Sequence, residues 1–295
     1  MDARAFTRSR TAPEAWGGLR EEALAAPSFE EAWALLREVL ILPGSKVVPE
    51  ALSLLTDLMH EADPATFLPV VFAHEPSLPV PLRLARVDAV EAAAGRHSPE
   101  ALLEALAPLA VDGSDAVSER AATALGVLAL HAPAVVGPRI EAWAATGLRK
   151  EGTAAAASLW GLASVDLPAA LRALDRLLEA GDAVQQRRGL VQLGFAYRYR
   201  PFTAEERALF FDALTRAQAH PKGPGRPAVL EVALPLAPFN SRPEALADLD
   251  RFLTAMGRAR APFSPGRPPP RPLAPCGKCG ARMDYAGYFC PECGD

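Results

Sequence analysis

Apolar residues recur along this chain at three- and four-residue intervals, in short runs separated by Pro, Gly and Asp breaks. Between residues 168 and 180, Leu171, Leu174, Leu177 and Leu178 fall on one helical face. The sequence Thr203-Ala204-Glu205-Glu206 is a capping-box signature that opens a helix reaching Ala217, and Ser28-x-x-Glu31 opens another over 28–40. Runs at 49–59, 65–72, 82–94, 99–109, 139–145, 229–236 and 243–256 complete the series. The pattern predicts an all-α chain.

Three runs share a phrase. Ala121-Ala122-Thr123-Ala124-Leu125-Gly126-Val127-Leu128 is followed by Ala157-Ser158-Leu159-Trp160-Gly161-Leu162, then by Leu190-Val191-Gln192-Leu193-Gly194-Phe195. Their glycines, Gly126, Gly161 and Gly194, are 35 and 33 residues apart, and each phrase leads through a short break into a second run. A pair of helices repeated at that interval is the signature of an α-solenoid. One pair cannot bury its apolar face alone, so neighbours stack into a continuous core. Glycine at the phrase position lets a helix of the next pair approach, or ends the helix there. An irregular helical bundle with Ala-rich helices is the alternative.

Composition sharpens this picture. Half of the 295 residues are hydrophobic but only 7% are aromatic, so Ala, Leu and Val must build the core. The net charge of −4 is unevenly spread. Residues 258–295 hold six basic residues (Arg258, Arg260, Arg267, Arg271, Lys278, Arg282) against three acidic ones, leaving 25 basic and 32 acidic before them. Such an acidic body is poorly suited to wrapping DNA or RNA, although a local basic patch is compatible with it. The longest mostly apolar stretch, 121–136, is broken by Thr123, His131 and Pro133 and is shorter than the ~20 residues of a membrane span. The N-terminus lacks an apolar signal core. The expectation is a cytoplasmic protein with no membrane association.

The strongest chemical signal lies at the end of the chain. Cys276-x2-Cys279-x10-Cys290-x2-Cys293 are its four cysteines, spaced to bring four thiolates to one tetrahedral Zn²⁺. Gly280 and Gly294 supply the permissive φ of the two knuckles, and Pro291 pre-sets the second. All four positions are thiolates and none is left for water or substrate, which predicts structural rather than catalytic zinc. About twenty residues cannot fold on burial alone, so the metal should supply the folding energy. Cysteines used as one metal set fit a reducing compartment.

Two resemblances follow from these residues. The phrase at 121–128, with the preceding turn Asp112-Gly113-Ser114-Asp115, resembles the first helix of bacterial HEAT-type (armadillo-like) repeats, over roughly 47–256. A tetratricopeptide arrangement is the runner-up, since Leu193-Gly194-x2-Tyr197 followed by Phe210 and Ala213 has that spacing. Both imply a protein-binding scaffold. The cysteine segment is similar to minimal zinc ribbons at bacterial protein termini. The domains expected are an N-terminal segment 1–27, a solenoid 28–256, a Pro/Arg-rich linker 257–275 and a zinc ribbon 276–295.

The linker residues Pro268-Pro269-Pro270-Arg271-Pro272 favour extended, solvated chain and form a weak SH3-type signal. Tyr197-Arg198-Tyr199-Arg200 interleaves aromatics with cations, as a stacking or acidic-partner contact would, while Pro201 makes it equally a helix end. Gln185-Gln186-Arg187-Arg188 reads as the solvated start of the same helix. The histidines at 60, 74, 97, 131 and 220 have no ligand spacing, Ser158 lacks a nucleophile elbow, and no phosphate-binding loop occurs, so no catalytic residue is assigned. Trp143 and Trp160 read as core. The function expected is a scaffold or adaptor for a protein partner, with the ribbon as second contact. The alternative is a nucleic-acid-binding protein using the linker, the ribbon and Tyr197–Arg200, and an enzyme reading rests on fold analogy alone.

Overall fold

A computed structural model describes residues 13–41, 46–73, 78–236 and 243–258. Among the described residues there are fourteen α-helices, one 3₁₀ turn and no strand, as the apolar periodicity predicts. They form two compact units, Met1–Arg139 and Ile140–Asp295. The first contains α1 (Pro13–Leu24), α2 (Phe29–Leu40), α3 (Val48–Glu61), α4 (Pro64–Val71), α5 (Val80–Ala93), α6 (Pro99–Ala110) and α7 (Asp115–His131). The division falls inside α8 (Pro133–Ala145). The second contains α9 (Arg149–Val165), α10 (Leu167–Ala180), α11 (Ala183–Tyr199), α12 (Ala204–Ala219), α13 (Gly225–Ala233) with the 3₁₀ turn Leu234–Leu236, and α14 (Pro243–Ala255). Helix α1 lies within the segment 1–27 and packs on α2.

Local chemistry sets the helix starts. Side chains of Ser28, Asp63, Ser98, Asp166, Asp182 and Thr203 accept backbone N–H groups at the openings of α2, α4, α6, α10, α11 and α12. Proline occupies the first turn of α3, α4, α5, α6 and α10, where its missing N–H costs nothing. Several C-termini are closed by arginines from another helix or loop. Arg96 donates to the carbonyls of Met59, His60 and Ala62 at the end of α3, and Arg86 to those of Val71 and Ala73 at the end of α4. Arg226 does the same for Met256 after α14.

In the middle of the chain the helices keep a fixed period. Odd-numbered helices begin at Asp115, Arg149 and Ala183 and even-numbered ones at Pro99, Pro133 and Leu167, each step being 34 residues. Gly113, Gly147 and Gly181 fall in the intervening loops at the same step, and Gly147 has a φ of 68°, which strains any L side chain. The single linking residues Ala132 and Asp166 have nearly the same backbone, φ −141° and −139°. The phrase glycines sit inside α7, α9 and α11 rather than at their ends. At Gly194 the reason is close approach: a Cβ there would stand 2.8 Å from Val232 Cγ1 on α13.

Packing within each unit runs between a helix and the next but one. In the first, α3 packs on α5, α5 on α7, and α2 on α4; in the second, α9 packs on α11, α11 on α13, α10 on α12 and α12 on α14. Each row also packs on the other through consecutive helices. Ala154, Ala155, Ala156 and Ala157 are all buried in α9, which lets α11 approach closely. Five rings supply the bulk that alanines lack elsewhere: Tyr197, Phe202, Phe210, Phe211 and Phe252 have centroids 4.8–5.9 Å apart.

Candidate functional site

The described charges serve first to tie neighbouring rows together. Along the even-numbered helices, Glu141 on α8 pairs with Arg172 on α10 at 3.3 Å, Asp175 on α10 with Arg216 on α12 at 3.3 Å, and Arg207 on α12 with Asp248 on α14 at 2.6 Å. Along the odd-numbered ones, Asp88 on α5 pairs with Arg120 on α7 at 2.8 Å, and Glu231 on α13 takes a bidentate pair from Arg187 on α11 at 2.7 and 3.0 Å. Each bridge spans two helix numbers. Exposed pairs of this kind contribute about 0–1 kcal/mol each; their main effect is to fix register.

In the Asp88 cluster the carboxylate is buried while its cation is partly exposed. Arg120 also reaches Glu91 at 3.3 Å. Burial pushes both carboxyls above their ordinary values, and Arg120 only partly offsets it. Thr56 bonds Asp88, and His60 adds a weak favourable field at Glu91. Perturbed carboxyls mark catalytic sites and structural ion pairs alike; here they sit in the packing of α3, α5 and α7.

A second polar cluster corrects the sequence reading. Gln185 and Gln186 are 3% and 1% exposed, not solvated. Asp182 and Gln185 form a reciprocal capping box, while Gln185 Nε2 also donates to the carbonyl of Arg149 on α9. Gln186 Nε2 donates to the carbonyls of Leu178 and Gly181. The pair therefore holds the start of α11 against α9 and α10. Asp182-x-x-Gln185 was the sequence signal for it.

The residues Tyr197, Arg198, Tyr199 and Arg200 do not form one surface strip. Tyr197 is 2% exposed and its ring stacks on Phe210 at 4.8 Å. Arg198 is half-buried with its guanidinium 5.5 Å from the Phe195 ring centre. Arg200 lies 4.9 Å from the Phe202 ring centre and forms a bidentate pair with Glu206. Burial opposes ionisation of Glu206, but the bonds from Arg200 and the Thr203 backbone outweigh it and hold its pKa below the ordinary value. Tyr199 ends α11. Trp143 is buried and Trp160 half-buried.

Cys276, Cys279, Cys290 and Cys293 lie outside the described residues, as does the linker after Arg258. Among the described residues no group of three or more His, Cys, Asp or Glu is placed to hold a metal. No helix there is long and apolar enough to cross a membrane. An open groove of about 540 Å³ runs between α2 and α4, lined by Glu30, Trp33, Arg37, Glu38 and Val70 among others.

One feature was hidden in the whole-chain charge. The odd-numbered helices of the second unit, α9, α11 and α13, carry six basic residues (Arg149, Lys150, Arg187, Arg188, Arg198, Arg226) and two acidic ones (Glu151, Glu231). Its even-numbered helices, α10, α12 and α14, carry five basic and eight acidic residues. The two rows thus have opposite sign, a pattern that counting charge helix by helix reveals and a chain total conceals. Compared with protein-family models, curated proteins and solved structures, the chain matches none of them.

Proposed function

We propose that this chain is a cytoplasmic α-solenoid scaffold that binds a protein partner through its helical rows and carries a structural zinc ribbon at Cys276, Cys279, Cys290 and Cys293. The observation that carries the reading is the row packing, in which helices and ion pairs join each element to the next but one within each unit. That is how repeats bury a face that one helical pair cannot, and it leaves long outer surfaces for recognition. The 34-residue step matches the tetratricopeptide period, whereas the Ala-Leu-Gly phrase of α7 is HEAT-like. Either geometry serves the same role. The ribbon, tethered by the 257–275 linker, supplies a second contact and hence avidity.

The test is quantitative capture from native lysate with full-length protein and with a 1–257 truncation. The scaffold reading expects one partner retained by both, more weakly by the truncation. Absence of any partner with either contradicts it. The competing reading is nucleic-acid binding by the linker, the ribbon and the basic odd-numbered row, supported by the six-to-two charge ratio of that row. It predicts a gel shift that fades steeply with salt.

A further inference from the structure

The groove between α2 and α4 carries negative charge that its own walls do not answer. Trp33 and Ala34 of α2 and Pro69 and Val70 of α4 give it an apolar lining, and Glu30 and Glu38 stand along the α2 wall. Both carboxylates are exposed, and neither takes part in an ion pair among the described residues. The groove's single cation, Arg37, is already engaged. Across α2, α4 and α6, the even-numbered helices of this unit, five acidic residues (Glu30, Glu31, Glu38, Glu100, Glu104) stand against that one arginine. Eight residues of helix separate Glu30 from Glu38 by about 12 Å along the axis.

The same unit supplies a sequence that fits. Residues 1–12 lie outside the described residues, but they contain Arg4-Ala5-Phe6-Thr7-Arg8 and then Arg10, with Asp2 as their one acid. In an extended chain side chains alternate and four residues advance about 13 Å. Arg4 and Arg8 therefore match the spacing of the two carboxylates, with Phe6 between them on the same side. Reach is sufficient. Helices α1 and α2 pack on one another across the connection 25–28, which brings Pro13 back toward the Leu40 end of α2. Five residues join Pro13 to Arg8, about 17 Å of extended chain.

We propose that residues 4–8 lie extended in the α2–α4 groove of their own chain, Arg8 paired with Glu38, Phe6 covering Pro69 and Val70, and Arg4 paired with Glu30. The first unit is acidic, with 17 acidic against 8 basic among its described residues before Ile140, so its field draws the segment in and the spacing selects the groove. The segment acts as a strap: any basic partner segment that enters the groove must first displace it. The inference needs neither the scaffold reading nor the zinc site.

The experiment is fluorescence anisotropy with a labelled peptide of residues 1–12, added to the full-length chain. Three forms are compared: wild type, the variant Arg4→Glu/Phe6→Ser/Arg8→Glu, and that variant with Glu30→Gln and Glu38→Gln added. Circular dichroism checks that each is folded, and single Glu30→Gln and Glu38→Gln changes replace the combined one if it is not. In the wild type the tethered segment competes at a millimolar effective concentration, so the peptide should bind the first variant about tenfold or more tightly than the wild type. Neutralising Glu30 and Glu38 should remove that binding. Equal binding by wild type and first variant, binding by neither, or binding indifferent to the two glutamates overturns the proposal. A peptide of the same composition with its arginines adjacent, bound equally well, overturns it in favour of a surface open to any basic segment. Concentration-dependent dimerisation of the wild type that the first variant lacks overturns it in favour of the strap of a second copy.

Discussion

Arg120 Nε donates to Asp88 Oδ1 at 2.8 Å, joining α7 to α5, and the same guanidinium also serves Glu91. One cation thus answers two carboxylates that burial has pushed above their ordinary pKa. Replacing Arg120 by Ala leaves both acids without their main counter-charge. The expected loss is about 2–3 kcal/mol by urea denaturation; it stays at the low end because Arg120 is 40% exposed. A loss below about 0.5 kcal/mol would show that the pair is ornamental.

The same cluster sets a pH dependence. Both folded pKa values lie above the ordinary 3.8 and 4.5, so the stabilising contribution is complete below those values and is lost as pH rises through the raised ones. His60 and Thr56, on the facing helix α3, act in the opposite sense but do not cancel the burial. From pH ~4 toward neutrality, the urea midpoint of the wild type should decline relative to an Asp88→Asn/Glu91→Gln variant. Parallel curves would contradict the assignment.

Gly194 tests the close approach of α11 and α13. Alanine there gains about 1 kcal/mol of helix propensity, but its Cβ would meet Val232 Cγ1 at 2.8 Å. Valine in a helix has little freedom to rotate away. Gly194→Ala should therefore destabilise by about 1–2 kcal/mol. Adding Val232→Ala should recover about 1 kcal/mol relative to the sum of the single changes, measured by a double-mutant cycle. Simple additivity would mean that the helices do not touch there.

Tyr197 separates a core residue from a partner contact. Its ring meets Phe202, Phe210 and Phe211. Tyr197→Ala should cost about 3–5 kcal/mol in the urea unfolding of the chain. A surface contact residue would leave stability within about 0.5 kcal/mol.

The helices were legible because apolar spacing and capping residues act locally: Ser28, Thr203 and the prolines announce their helix starts within a turn. The recurrence of Gly126, Gly161 and Gly194 was legible too, and each of the three lies within a helix. What those glycines do was not, because the atom that demands Gly194 belongs to Val232, on a different helix. Gln185 and Gln186 were misread for the same reason. Glutamine is polar by residue type, and only the neighbouring carbonyls of Arg149, Leu178 and Gly181 make its burial affordable. Tyr197 and Arg198 are adjacent in sequence yet differ in burial, because a helix turns about 100° between them. The opposite charges of the two rows of the second unit emerge only when helices are sorted by row.

The proposed platform and the proposed zinc site at its terminus are tested most directly by native mass spectrometry of the full chain, with far-UV circular dichroism recorded before and after chelation. The account predicts one zinc per chain, lost when Cys276, Cys279, Cys290 and Cys293 are replaced by Ser, with the helical signal of the body unchanged. A chain that is metal-free with its thiols reduced, or a body that loses its helices when the metal is removed, would contradict it.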